Sequence, residues 1–377
     1  MRCGASFTPG FTAKKTIEGI ILKLLKQGLI FLKKNWFGLI TVIVSFAAML
    51  FAIKNFGGLY EFGQTLMESR KLWLVLAFAC IAVYWLFDAG VLHIFLKTGY
   101  KKYRFKSSFS AAMIGLLYSA LTPFAIGGQP MQIYQLAKNN VKPGDAASFI
   151  AAKTLIFQVC MVTYSLVALF ISAEVFDSIP YFFAYVIFGM LTNFIFLFII
   201  IAVCLDKKIT KRCSYAIILL LSKIKVVKNH RKTANSTFKQ IDLFRSCVAM
   251  LMNDKLLLAK TVLMTFVQLT VFYLIPYCVF KSLLNEEQLD VKIYYLVFAN
   301  ALIYMITSFV PLPGGSGVAE GSYYLFFSLF FPNSLALVSA FLWRFITYYS
   351  CVFTGLCISA CGLVSSNRKK AAGSAVD

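Results

Sequence analysis

Lys153 and Arg344 each stand well inside a run of apolar residues long enough to cross a membrane. Each follows a segment in which proline and glycine break any helix. The first is Thr122-Pro123-Phe124-Ala125-Ile126-Gly127-Gly128-Gln129-Pro130, and the second is Val310-Pro311-Leu312-Pro313-Gly314-Gly315-Ser316-Gly317. A helical arm that starts at Gly-Gly leaves its first N–H groups free and unobstructed, which suits a phosphate or carboxylate at the positive helix end. Lys153 and Arg344 add full charges beside those dipoles, and together these features describe a pocket for an anionic headgroup. The same cations could equally pair with Glu320, Asp88 or loop carbonyls and hold the bundle together.

Glu320 lies three residues after Gly317, where a carboxylate caps the free amides of a first turn. Its alternative role is to meet a substrate ammonium or to release Arg344 on protonation. Asp88 and His93 are five residues apart, about 140° round a helix, so a shared metal or proton relay between them is disfavoured. Asp88 is read as a charge partner for a cation. Gln129, Gln132 and Tyr134 offer neutral hydrogen bonds, to a headgroup or to the broken backbone. No metal site is expected: the ten cysteines include no CxxC pair, and most fall in apolar runs. No cofactor is expected, and no GxxxxGK[ST] phosphate loop occurs, which argues against direct coupling to ATP.

The elements that must position these residues follow from composition. Of 377 residues, 60% are apolar and only 14% charged, far from the balance of a soluble domain. Runs that can cross a core of about 30 Å read at Trp36–Ile53, 72–96, 146–170, 181–204, 256–280 and 335–364. Lys and Arg number 29 in the segments before 36, at 97–106, 138–145 and 205–255, and after 365, against 5 in 54–71, 171–180 and 281–292. The positive-inside rule then places both termini in the cytoplasm, and it explains the net charge of +22 without nucleic acid. Residues 1–35 read as an amphipathic cytoplasmic segment rather than a signal peptide, and 205–255 as a basic cytoplasmic loop whose apolar part, 215–226, can lie on the membrane.

Two apolar pieces remain that parity does not allow to cross. Residues 107–140 and 293–331, each broken in its middle, are expected to enter and return on the same side, the first from the cytoplasm and the second from outside. At 1.5 Å per residue, Lys153 and Arg344 lie roughly 10 and 14 Å into helices entering from opposite faces, so both approach the midplane. The fold expected is an all-α integral membrane protein with about six spans plus two oppositely oriented re-entrant hairpins, an inverted repeat of the kind that houses a transport site. Ordinary kinked helices are the alternative.

The motif Val310-Pro311-Leu312-Pro313-Gly314-Gly315-Ser316-Gly317-Val318-Ala319-Glu320, with Thr122-Pro123 and Gly127-Gly128-Gln129-Pro130-Met131-Gln132-Ile133-Tyr134, resembles the signatures of the lysylphosphatidylglycerol synthase transmembrane region family, also called the flippase-like domain family. The resemblance extends over residues 36–364. Where many members carry arginine after the first signature this chain has Lys153, which keeps the charge and lacks the planar fork. The resemblance implies a multi-pass cell-membrane protein, bacterial, that moves an aminoacylated or anionic phospholipid such as lysyl-phosphatidylglycerol between leaflets and so supports resistance to cationic antimicrobial peptides. Long members add a C-terminal lysyltransferase. With 365–377 read as a cytoplasmic tail, a short form without that domain is expected. The implied partners are a phospholipid, the membrane and a separate lipid aminoacyl synthase, with a homo-oligomer left open. A lipid-modifying transferase and a transporter of a small anion or polyprenyl-linked sugar are the competing classes.

Overall fold

The computed structural model describes residues 59–205, 207–223, 230–284 and 291–373, with scattered positions between 36 and 54. The expected amphipathic segment 1–35 and part of the expected Trp36–Ile53 span lie outside them, although positions 42–47 are helical. Among the described residues every regular element is helical. The chain is an all-α membrane protein.

A short helix, α1 (Leu59–Glu68), precedes α2 (Lys71–Gly99). A first hairpin follows, α3 (Phe105–Leu121) and α4 (Gly128–Lys138), then α5 (Pro143–Phe176) and α6 (Phe182–Leu205). Helices α7 (Lys207–Lys223) and α8 (His230–Asn253) lead to α9 (Lys255–Tyr273) and α10 (Ile275–Leu283). The second hairpin is α11 (Ile293–Thr307) and α12 (Val318–Phe327), and α13 (Asn333–Arg344) and α14 (Ser350–Gly373) close the chain. Among the described residues five helical stretches are long and apolar enough to span: Lys71–Gly99, Pro143–Phe176, Phe182–Val203, Lys255–Leu283 and Leu335–Cys361. They are apolar nearly all round, as helices bordered by lipid on one side and protein on the other must be.

Three departures from the expected outline have local causes. The span expected at 256–280 is two helices, because Pro276 has no N–H to give the carbonyl of Phe272. That carbonyl accepts instead from Asn300 Nδ2 at 3.3 Å. The helix α5 has 34 residues, about 51 Å, and so outruns the hydrocarbon core. It packs on α8, with Gly144 in its first turn facing Leu243. The basic 205–255 loop is therefore largely folded, with Lys211 bridged to Asp242 at 2.8 Å. Arg245 Nη1 donates to Val203 O at 2.9 Å, placing a cation at the carbonyl end of α6.

The hairpins project from opposite ends of the final span. Arm α12 packs on α13, the first part of that span, while α3 packs on α14, the second part. Their tips, Pro123–Ala125 and Pro313–Gly315, meet each other at the level of a π-helical turn, Phe345–Tyr349. Close approach depends on missing side chains: a Cβ at Gly128 would strike Ser119 and one at Gly355 would strike Leu117.

The two breaks share one backbone path over Thr122–Ala125 and Leu312–Gly315 and part after it, at Ile126 (ψ −29) and Ser316 (ψ 139). Thr122 (φ −118, ψ 144) matches Leu312 (φ −113, ψ 143), and Phe124 (φ 55, ψ 15) matches Gly314 (φ 61, ψ 15). Ala125 at φ 54 matches Gly315 at φ 64. Their turn hydrogen bonds coincide too, Ala125 N to Thr122 O and Ile126 N to Pro123 O against Gly315 N to Leu312 O and Ser316 N to Pro313 O. A constant offset of 190 positions relates Pro123 to Pro313, Gly128 to Val318, and the helix starts Pro143 and Asn333. The Gly-Gly pairs are thus not equivalent. Phe124-Ala125, and not Gly127-Gly128, stands opposite Gly314-Gly315. By the same offset Arg344 matches Thr154, and Lys153 matches Trp343. A shift of one residue is about 100° round a helix, so the two cations face different ways.

Candidate functional site

A cavity of about 310 Å³ lies where the two tips meet the spans. Its wall takes Ala125 from the first tip and Gly314 and Gly315 from the second. Tyr84, Phe157, Phe272, Tyr304 and Trp343 line it from the surrounding helices, and Arg344 and Tyr348 complete it.

Arg344 is 5% exposed and organises the second tip. Its Nη2 donates to Gly314 O at 2.6 Å and to Ser316 Oγ at 3.3 Å. Its Nε lies 2.8 Å from Glu320 Oε1, and the guanidinium carbon sits 4.1 Å from the centroid of the Tyr348 ring. The Nη1 edge has no partner among the described residues. Glu320 takes the capping role and also pairs with Arg344. Its Oε2 accepts from Gly317 N at 2.6 Å, closing the N-terminus of α12, while Oε1 faces Arg344 and accepts from Ser45 Oγ at 3.0 Å. Ser45 in turn meets the Tyr349 hydroxyl at 3.1 Å.

Tyr348 ties the two tips together. Its ring covers Gly314, where no Cβ fits, and its hydroxyl donates to Ala120 O at the end of α3, 3.1 Å away. The π turn is what aims it there, by inserting one residue into the helical register after Arg344.

The first tip is held by Thr122. Its Oγ1 donates to Tyr118 O at 2.7 Å and accepts from Gly127 N at 2.9 Å. Pro123 begins the turn, and Gly127 and Gly128 let the arms close on Thr122 and Ser119. Gln132 is buried against Gly115, whereas Gln129 Nε2 reaches Thr154 Oγ1 at 3.3 Å. Tyr134 is 62% exposed and stands apart from the cavity. At the second tip Pro313, Gly315 and Gly317 (φ 87) shape the turn after Pro311.

Lys153 does not line the cavity. It donates from Nζ to Asp88 Oδ2 at 2.6 Å, and Gln268 Nε2 donates to Asp88 Oδ1 at 3.2 Å. His93 turns elsewhere, with Nδ1 2.9 Å from Ser108 Oγ. The sequence reading thus named both cations and both carboxylates. It missed Tyr348, Ser316, Ser45, Gln268 and the tyrosines of the wall. Of these only Tyr348 had a local signal, an aromatic four residues after a buried arginine.

This geometry, two proline-glycine turns meeting across a buried arginine, coincides with a sequence match that takes in both turns. Residues 38–355 match the family described as lysylphosphatidylglycerol synthase TM region. The chain belongs to this family. The match runs from Gly38, whose Cα faces Leu121 O, to Gly355 beside Leu117, so its ends both rest on α3 of the first hairpin. A UPF0104 membrane protein of Archaeoglobus fulgidus is 27% identical over 296 residues, covering 78% of this chain and 87% of that relative. As a member of the synthase TM region family, this chain is a multi-pass membrane protein.

Proposed function

We propose that the chain carries the headgroup of an anionic or aminoacylated phospholipid, of the lysyl-phosphatidylglycerol class, between the leaflets of the cell membrane. The two hairpin tips act as gates on either side of a shared headgroup pocket, with access alternating between the faces. The observation that carries this reading is Arg344. It is a buried guanidinium in the cavity wall, fixed on one side by Gly314, Ser316 and Glu320, with no partner on its Nη1 edge among the described residues. A phosphate oxygen is the natural partner for that edge. At about 310 Å³ the cavity fits a headgroup, and the acyl chains stay in the bilayer.

In this reading Thr122, Pro123, Gly127, Gly128, Gln129, Gln132, Tyr134 and Lys153 belong to the first gate and its support, and Pro311, Pro313, Gly314, Gly315, Gly317 and Glu320 to the second. The basic pair α7–α8 faces the cytoplasm with both termini. A separate synthase supplies an aminoacylated lipid, and exposing that lipid outside repels cationic peptides.

The test is headgroup accessibility in proteoliposomes holding labelled lysyl-phosphatidylglycerol, phosphatidylglycerol or phosphatidylethanolamine. Selective movement of one lipid, lost in Arg344→Ala, is the expected result. A folded protein that moves no lipid at all overturns the reading and favours a soluble-anion carrier.

A further inference from the structure

One helical turn behind the cavity wall, three helices bring together a buried polar cluster. Asp88 of α2 accepts from Lys153 of α5 and from Gln268 of α9, and Asp88 and Lys153 are 5% and 8% exposed. Each member stands four residues from a cavity-lining aromatic on its own helix. Tyr84 precedes Asp88, Phe157 follows Lys153 and Phe272 follows Gln268. Four residues is about one turn, so the cluster forms a layer parallel to the cavity floor.

The two layers are electrostatic neighbours: the other ionisable groups around Asp88 are Tyr84 from α2, Tyr304 from α11 and Cys351 from α14, and all three line the cavity. His93, on the same helix, is turned to Ser108 of α3.

We propose that Asp88 is a proton-binding site coupled to occupancy of the cavity by a phosphate or phosphodiester anion. With Asp88 ionised and Lys153 protonated the cluster is neutral, the state an apolar bundle favours. A proton taken from water by the Asp88 carboxylate gives a neutral acid, ends the ion pair and leaves Lys153 an uncompensated cation one turn behind the wall. That state is costly alone and is stabilised when an anion occupies the cavity. By reciprocity the proton then raises the affinity for the anion by the same factor that the anion raises the affinity for the proton. Anion and proton enter together, and the loaded carrier has the same net charge as the empty one. This inference rests on the reading that the cavity holds an anion.

The test is proton uptake by the full-length protein in nanodiscs of phosphatidylcholine, followed with a pH indicator in weakly buffered solution while anion binding is measured in parallel. The probes are phosphatidylglycerol, inorganic phosphate, and diacylglycerol as the uncharged control. The expected result is about one proton taken up per bound anion, none with diacylglycerol, and none in Asp88→Asn. Uptake with phosphatidylglycerol alone assigns the anion to a lipid headgroup, and uptake with inorganic phosphate as well assigns it to any small phosphate. Should Asp88→Asn fail to fold, the double variant Asp88→Asn/Lys153→Gln, which strands neither charge, takes its place. Anion binding without proton uptake, or uptake unchanged in these variants, overturns the coupling and leaves the headgroup reading standing. No anion binding at all overturns both.

Discussion

The ring of Tyr348 occupies the space that a side chain on Gly314 would need. Two sequence features 34 positions apart are therefore one structural device, since the glycine exists to admit the tyrosine and the tyrosine holds the two hairpin tips together through Ala120.

Gly314→Ala is expected to be the most damaging glycine substitution in the second tip. It combines a left-handed backbone (φ 61) with a clash against the ring, for a cost of about 2–4 kcal/mol. Gly317→Ala, at φ 87 with open space around it, carries the backbone cost alone, about 1–2 kcal/mol. Melting temperatures of the two variants in detergent, side by side, separate strain from collision.

Arg344→Ala and Glu320→Gln are each expected to slow headgroup movement with the fold retained. Glu320→Gln keeps an oxygen to accept from Gly317 N but removes the charge that faces Arg344. Arg344→Lys is expected to resemble Arg344→Ala, because a single ammonium cannot reach Gly314, Ser316 and Glu320 in the plane that the guanidinium spans. Unchanged lipid movement in all three would remove this pair from the mechanism.

Removing one partner of the Lys153–Asp88 bridge is expected to cost more than removing both. Asp88→Ala strands a buried ammonium, about 3–5 kcal/mol, whereas Asp88→Asn/Lys153→Gln leaves no bare charge and recovers much of the loss. Denaturation followed by helical circular dichroism in mild detergent measures the difference. Equal destabilisation would mean that the bridge is not desolvated.

Asn300→Leu is expected to destabilise by about 1–2 kcal/mol, since the Phe272 carbonyl then has no donor in place of the missing proline N–H. In a Pro276→Ala background, where residue 276 regains an N–H, the same change is expected to cost clearly less. A double-mutant cycle on thermal stability reads the coupling, and strict additivity would show that Asn300 does not serve that carbonyl.

Much of this molecule is legible without coordinates. The apolar spans, the two broken segments and the ionisable groups Lys153, Arg344, Asp88 and Glu320 all follow from local chemistry, because helix length, proline geometry and the cost of buried charge act within a few residues of sequence. The pairing of the two halves is less legible. Matching Gly-Gly with Gly-Gly is the natural sequence alignment, yet the shared backbone path puts Phe124 and Ala125 opposite Gly314 and Gly315. Glycine permits the left-handed turn without being the sole residue able to occupy it, so residue type is a weaker guide to equivalence than conformation.

The sequence alone determined that this chain lives in a membrane, that it breaks twice at apolar depth, and that Lys153, Arg344, Asp88 and Glu320 had to find partners there. Only the tertiary structure decided which partners. Register round a helix turns by about 100° per residue, so one position separates a cation that faces the cavity, Arg344, from one that faces away into a salt bridge, Lys153. The contacts that complete the site come from segments as far apart as Ser45 and Glu320, or Asp88 and Gln268, and packing of whole helices brings those together.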